Sequence, residues 1–222
     1  MIKVMTDSFR GFLEEVRPIE LKEPLAETLG AFQEKGASLE YTFTDVVKMA
    51  GHACPTVSGA FLCCQAALEN LYPDTVPVRG EIAVTVYGRP DEGVYGVMGQ
   101  VFSFLTGAAP DTGFHGLGNR FKRKDLLRFS PEKPDPEAMC FEFQRLDSDK
   151  AVTVRFYPQR IPFAEEKAGR MGELLQPVVW DAATEAERME FRDLWMDRVR
   201  SMLIERKQIG EWLQIEEGRK KQ

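Results

Sequence analysis

The chain has 222 residues, 43% of them hydrophobic and 29% charged, a composition typical of a soluble globular protein that buries its core without disulfides. Its net charge of −6 argues against broad nucleic-acid binding, and no apolar run reaches the length of about 18 residues that a membrane span needs. Because acidic side chains interrupt the start of the chain where a secretory signal needs an apolar stretch, we expect a cytoplasmic protein with no nucleic-acid or membrane partner.

The first third of the chain is predicted to be mainly helical. Residues 24–35 carry apolar side chains at helical spacing and predict an amphipathic helix that ends at Gly36. A short strand or a strand-to-helix entry is expected over residues 39–55. Residues 55–72 repeat apolar side chains in steps of four and three between two prolines, which predicts a substantially buried helix.

The middle of the chain combines strands with one further helix. Period-two alternation predicts strands at residues 80–88, 139–146 and 151–157, and the last two form an antiparallel hairpin around the turn Asp-Ser-Asp-Lys. Residues 93–108 read as a glycine-interrupted helix packed closely against a neighbour. The glycine-rich and then basic segment 106–128 predicts a long functional loop, in which the basic run is either a solvated surface or an anion-binding patch.

The C-terminal segment is predicted to be a helical arm. Thr184 and Glu187 fit a capping box, and the following apolar residues approximate a heptad seam that is interrupted by Arg206. The seam residues are Trp195, Val199, Met202, Ile209 and Leu213. We therefore predict an α+β domain over residues 1–180, with a mixed or antiparallel sheet packed with helices, and a C-terminal helical arm over residues 181–222. The apolar seam favours a homodimer, and an arm folded back on its own domain is the alternative.

His52 and Cys54 form the strongest candidate site. A thiol at a helix N-terminus faces unpaired backbone N–H groups, which favours the thiolate as a nucleophile and as a soft metal ligand. If residues 52–54 are extended, both side chains point to the same side, and the pair forms half of a site for zinc or a similar metal. The second histidine, His115, lies in a glycine-flanked segment and is a further candidate ligand. The other three cysteines, Cys63, Cys64 and Cys140, are expected in the core.

The segment Gly-His-Ala-Cys-Pro at residues 51–55 resembles the signature Gly-His-x-Cys-Pro-Gly of the FmdE-like family, which takes its name from a component of formylmethanofuran dehydrogenase. Thr56 stands where that family usually has glycine. Residues 99–129 look like the second conserved block of the family, and the predicted hairpin falls in the matching place. The resemblance covers roughly residues 40–160. It implies a usually dimeric α+β domain that holds a metal, typically zinc, through His52 and Cys54.

The second block departs from the family at one ligand position. The cysteine that normally completes the metal site is replaced by Ala108, and the cysteine-rich zinc ribbon of some members is missing from this chain. His115 is the preferred substitute ligand, while a water, a carboxylate such as Asp111 or a cofactor are the alternatives.

Three hypotheses about function follow. The first is a metal-binding protein with His52, Cys54 and His115 around zinc or a similar divalent ion, with an open position for a small-molecule ligand but no identified reaction. No general base has suitable spacing, and Asp45 and Glu81, the nearest acidic candidates by sequence, are expected at the surface or behind the metal ligands. The second is a module that binds or carries haem or another metallocofactor, because His and Cys also ligate haem iron. The third is a metal-free thiol enzyme with Cys54 as nucleophile.

Overall fold

The computed structural model describes residues 9–219 and confirms the α+β class. Within that range the α-helices are α1 (Pro24–Thr28), α2 (Phe43–Ala50), α3 (Pro55–Leu71), α4 (Tyr95–Thr106), α5 (Glu165–Val179), α6 (Glu185–Arg200) and α7 (Ile209–Trp212). The strands are β1 (Ile19–Lys22), β2 (Ser38–Tyr41), β3 (Ile82–Tyr87), β4 (Gly116–Leu117), β5 (Phe121–Lys122), β6 (Leu127–Ser130), β7 (Met139–Arg145), β8 (Lys150–Phe156) and β9 (Leu213–Arg219).

The main sheet has five strands in the order β6-β3-β7-β8-β9, with β3 and β6 parallel and the other neighbours antiparallel. Its mixed pairing agrees with the predicted sheet type, and β7 and β8 form the predicted hairpin. The register places Val84, Phe143 and Val152 side by side on one face. All three are buried, because this face packs against the helical layer formed by α3 and α4. The alternation of apolar and polar residues thus decides which face of the sheet carries the core.

The helix α3 lies at the centre of the core and confirms the predicted helix over residues 55–72. Its side chains are buried on nearly every side, including those of Cys63 and Cys64, which are fully buried. Gly59 lets α3 approach the sheet closely, because a Cβ atom there would lie 2.6 Å from the ring of Phe156. A larger residue at this position would require the Phe156 ring, or the packing of α3 on β8, to shift. Cys140 is also buried, so the three expected core cysteines are confirmed.

The predicted N-terminal helix is shorter than its apolar spacing indicates. Helix α1 ends at Thr28, and Gly30 follows with a left-handed φ of 77°. The apolar spacing over residues 24–35 is misleading because only Leu25 of this segment is a buried apolar residue, whereas Leu29 is 66% exposed. Without a surface to pack on, the periodic pattern does not extend the helix.

The C-terminal segment is helical only in part, which corrects the prediction of a continuous helix. After α6 the chain passes through a π-helical turn at Ser201–Glu205, and Arg206 and Gln208 adopt left-handed φ values of 48° and 53°. It then forms α7 and pairs as β9 with the edge of the main sheet along β8. The pairing satisfies backbone groups of both strands, and it buries Leu213.

The predicted seam of the arm is used inside the chain. Val199 and Met202 are fully buried in the main core, where α6 and the turn after it contact α3. Helix α5 has no counterpart among the predicted elements and packs on α6. Across residues 9–219, no helix has the length and apolar character that a membrane crossing requires.

Candidate functional site

The loop between α2 and α3 carries His52 and Cys54. Helix α2 ends at Ala50 and is capped by Gly51. The left-handed φ of 78° at Gly51 turns the chain away from the helix axis. Cys54 is extended, with φ −151° and ψ 168°, and occupies the N-cap position of α3 ahead of Pro55. The predicted placement of a thiol at a helix N-terminus is confirmed.

Backbone and side-chain contacts hold Cys54 in place. The Val57 N–H donates to the Cys54 Sγ at 3.4 Å, and the Ser58 hydroxyl donates to the Cys54 carbonyl at 2.9 Å. Only 7% of Cys54 is exposed. The sulfur therefore accepts one of the N–H groups that the first turn of α3 leaves unpaired.

The imidazole of His52 is exposed and oriented by its own loop. Its Nδ1 lies 3.0 Å from the carbonyl oxygen of Ala50. Because a carbonyl only accepts hydrogen bonds, Nδ1 carries the proton, and in the neutral tautomer with this hydrogen bond Nε2 has the lone pair that a metal would need. A backbone carbonyl on the second ring nitrogen is the usual support of a histidine ligand.

A residue from the C-terminal segment fixes the middle of this loop. The indole N–H of Trp195 in α6 donates to the carbonyl of Ala53 at 2.9 Å, across a sequence separation of 142 residues. Phe191, one helical turn earlier, packs on the Trp195 ring with centroids 5.4 Å apart. Trp195 belongs to the seam predicted from the sequence, and no local signal reveals that its polar edge reaches the His52–Cys54 loop.

His115 lies in a different structural setting, at the edge of the small hairpin formed by β4 and β5. Its carbonyl accepts hydrogen bonds from the backbone N–H groups of Arg123 and Lys124, and its Nε2 lies 2.6 Å from the Asp111 carbonyl. The side chain is exposed, as are its neighbour Phe114 (61%) and Leu117 (54%). The backbone at His115 is therefore ordered by hydrogen bonds at the base of the hairpin, while the side chains around it are exposed.

The described residues do not assemble a complete set of protein ligands. Among residues 9–219, no group of three or more His, Cys, Asp and Glu side chains is placed to hold a metal ion. His52 and Cys54 share one loop, and the participation of His115 stays a prediction. Ala108, which the predicted resemblance aligns with a ligand cysteine, is fully buried. Asp45, one of the two acidic candidates, is engaged in the capping box of α2 with Thr42.

The other cysteines differ chemically from Cys54. Burial raises the pKa of Cys63, with a smaller contribution from the charge of Cys64, and burial also raises the pKa of Cys64 itself. Burial likewise raises the pKa of Cys140. These thiols favour the neutral form because burial is the largest influence on each pKa, and at Cys140 the charge of Arg155 offsets it only in part. Cys54 is the candidate for chemistry by position, since it lies at the end of α3.

The basic segment 106–128 contains a buried ion-pair cluster that sequence analysis misses. Arg123 is only 3% exposed, and its Nη2 donates to Glu23 Oε1 at 2.6 Å. Arg79 donates to Glu23 Oε2 at 2.8 Å, and its remaining donors reach the carbonyls of Phe104 and Leu105 at the end of α4. Burial lowers the pKa of Arg123, and the charge of Glu23 partly offsets this effect.

This cluster corrects the interpretation of one member of the basic run. Arg123 is neither on a solvated surface nor in an open anion site, because its guanidinium anchors the base of the β4–β5 hairpin. Glu23 supplies the counter-charge from the N-terminal part of the chain. The backbone carbonyls at the C-terminal end of α4 partly balance the positive charge of the second guanidinium, that of Arg79. A sequence separation of 100 residues between the partners leaves no local pattern to detect.

Comparison with known proteins gives a distant resemblance of fold. No family model matches the chain, and no curated protein matches it. One solved structure that resembles it is a tungsten formylmethanofuran dehydrogenase FmdE-like protein from Syntrophus aciditrophicus. The two share 13% identity and a TM-score of 0.39, over 82% of this chain and 74% of that one. A likeness at this level carries no argument about the site.

Proposed function

We propose that this chain binds a transition metal ion of the zinc type through His52 and Cys54. The observation that carries the proposal is the placement of these two donors two residues apart on one loop. Cys54 accepts a helix N-terminal N–H group, and the Nδ1 of His52 is bound to a carbonyl so that its Nε2 has a lone pair. The resemblance of residues 51–55 to the FmdE-like family signature points to the same two side chains.

The donor set fits the chemistry of a borderline metal. A thiolate sulfur and an imidazole nitrogen are the ligands that Zn²⁺ and similar ions prefer in proteins. Two further positions are left for His115, water or a small-molecule ligand. A bound divalent ion with an open position supplies Lewis-acid chemistry toward a carbonyl or a water. The chain's own contribution is to hold Cys54 in its N-cap position and to orient His52 through the Ala50 carbonyl. No reaction is assigned.

The test is the metal content of tag-free protein purified anaerobically, measured by elemental analysis beside a visible spectrum. We expect about one equivalent of zinc or a similar ion per chain in the unaltered protein. Cys54→Ala and His52→Ala should each lose most of it. The matched control is Cys140→Ala, which removes a thiol from the core and should retain the metal.

The remaining outcomes separate the proposal from its competitors. A partial loss in His115→Ala would add His115 to the ligand set. A haem Soret band that Cys54→Ala abolishes would change the metal to haem iron at the same residues. Metal content that is equal in the unaltered protein, Cys54→Ala and His52→Ala would overturn the proposal, and so would metal-free protein from natural and recombinant sources alike.

A further inference from the structure

The hairpin segment, residues 106–128, carries a group of cations that no described carboxylate neutralises. It contains five basic and two acidic residues, in a chain whose net charge is −6. Of the five, Arg123 is paired with Glu23, whereas the other four form no ion pair with a described residue. These four are Arg120, Lys122, Lys124 and Arg128. Elsewhere in the described chain most arginines pair with a carboxylate, as Arg170 does with Glu190.

Two large apolar side chains of the same segment are also exposed, namely those of Phe114 and Leu117. Every residue from 111 to 120 is exposed except Gly116, which is half-buried. The Arg123–Glu23 ion pair holds the base of the hairpin to the rest of the fold. The segment therefore presents apolar and cationic side chains together, on a backbone that is fixed in place.

The register of the hairpin places cations on both of its faces. Leu117 and Phe121 lie opposite each other in the β4–β5 pair, so their side chains share one face. The guanidinium of Arg120 lies over the Phe121 ring, 5.0 Å from its centroid. Lys122, the next residue along β5, projects from the opposite face. Leu117 is therefore flanked by positive charge on either side of the hairpin.

We propose that the hairpin segment is a docking surface for an anionic lipid membrane, to which the chain binds peripherally and reversibly. Phe114 and Leu117 enter the interfacial layer of the bilayer, and the four cations meet the negatively charged headgroups. Each contribution is weak by itself. Apolar insertion combined with a basic patch supplies the two signals on which membrane attachment without a spanning helix depends.

The side chains of the segment favour lipid over a single-stranded nucleic acid as the anionic partner. Proteins that bind single strands stack successive bases on exposed aromatic rings. The ring of Phe121 is half-buried and has the Arg120 guanidinium over it, which leaves Phe114 as the exposed aromatic ring of the segment. Leu117 has no ring for a base to stack on, whereas its aliphatic side chain suits the edge of the hydrocarbon layer.

The net charge of the chain predicts no membrane partner, and the hairpin segment changes that expectation locally. Interactions between exposed charges over more than about 8 Å are largely screened at physiological ionic strength. Cations that touch the headgroups therefore contribute more to binding than carboxylates on distant parts of the surface. The inference is independent of the proposed metal site, because it uses neither His52 nor Cys54.

The experiment is co-sedimentation of the full chain with sucrose-loaded vesicles, over lipid concentrations of about 0.1 to 5 mM that suit weak peripheral binding. Vesicles of phosphatidylcholine with about 30% phosphatidylserine are compared with vesicles of phosphatidylcholine alone. The unaltered protein should bind the anionic vesicles at least about tenfold more strongly. Raising the salt concentration from about 0.1 M to about 0.5 M should weaken this binding at least about fivefold.

Two pairs of variants test the two kinds of side chain. Lys122→Glu should weaken binding to the anionic vesicles at least about tenfold, because it replaces a cation at the lipid surface with an anion. Its matched control, Lys150→Glu, makes the same change at an exposed lysine of β8 and should bind like the unaltered protein. Leu117→Ala should weaken binding at least about threefold, whereas Leu29→Ala, at another exposed leucine, should leave it unchanged. Circular dichroism checks that all four variants fold.

Three results would overturn the inference. Protein that stays in solution at the highest concentration of anionic lipid would show that the segment does not bind membranes. Equal binding of Lys122→Glu and Lys150→Glu to the anionic vesicles would place the membrane contact elsewhere on the chain. Binding of a fluorescent single-stranded oligonucleotide, without binding to either kind of vesicle, would make the segment a nucleic-acid surface instead.

Discussion

The two segments that carry the predicted ligands, the His52–Cys54 loop and the β4–β5 hairpin with His115, are built in different ways. The loop lies between two helices, with Cys54 buried at the start of α3 and the Ala53 carbonyl bound by Trp195. The hairpin is anchored at its base by Arg123, and His115 precedes β4 at the same base, where its side chain and that of Phe114 are exposed. A ligand held by core helices is positioned in advance, whereas a ligand on an exposed hairpin has to be positioned by what it binds.

The largest expected effect concerns the anchor of the hairpin. Glu23→Gln leaves the buried Arg123 and the half-buried Arg79 without a carboxylate, which should lower the free energy of unfolding by about 3–5 kcal/mol. Urea denaturation followed by circular dichroism measures the change. Glu34→Gln, the same substitution at an exposed site, should cost no more than about 0.5 kcal/mol. Equal midpoints for the two variants would show that the hairpin does not depend on this anchor.

The second prediction concerns the buried middle of α3, which supports the loop, and uses the pH dependence of the unfolding free energy. Burial raises the pKa of Cys64 above its ordinary value of 9.0. Above that value the unfolded thiol loses its proton while the folded thiol keeps it, so the folded state loses stability as the pH rises. The loss from this thiol reaches about 1.4 kcal/mol one pH unit above 9.

We expect Cys64→Ala to flatten the decline in unfolding free energy between pH 8 and pH 10 relative to the unaltered protein. The comparison of slopes removes the cost of the small cavity, which is the same at each pH. Parallel curves of unfolding free energy against pH for the two proteins would mean that water reaches Cys64. The middle of α3 would then not be a dry part of the core.

The smallest expected effect concerns the bond that fixes the loop. Trp195→Phe removes the indole N–H while keeping an aromatic ring, so it should cost about 1 kcal/mol of stability. It should also weaken metal binding up to about tenfold, because the Ala53 carbonyl lies between the two proposed ligands. Metal competition titrations measure the affinity. Trp180→Phe is the matched control, since Trp180 is 72% exposed. Unchanged affinity with reduced stability would make Trp195 a packing residue only.

Local patterns predict the elements whose apolar residues meet the core. The strands β3, β7 and β8 and the helix α3 lie where period-two and helical spacing place them, because each presents a buried face. The same reasoning fails at residues 24–35, where apolar spacing has no surface to cover. It also misses α5, which buries one residue. The motif containing His52 and Cys54 is readable because both residues belong to one short segment.

The sequence by itself therefore determines the α+β class, the central helix and the position of Cys54 at its N-terminus, since all three depend on local spacing and capping. The division of the chain near residue 180 stays a prediction. Only the tertiary structure decides that Leu213–Arg219 form an edge strand, that Trp195 binds the Ala53 carbonyl and that Glu23 pairs with Arg123. The last two contacts span 142 and 100 residues of sequence. Contacts over such separations leave no periodic trace in the sequence, because they form only when the folded core brings distant segments together.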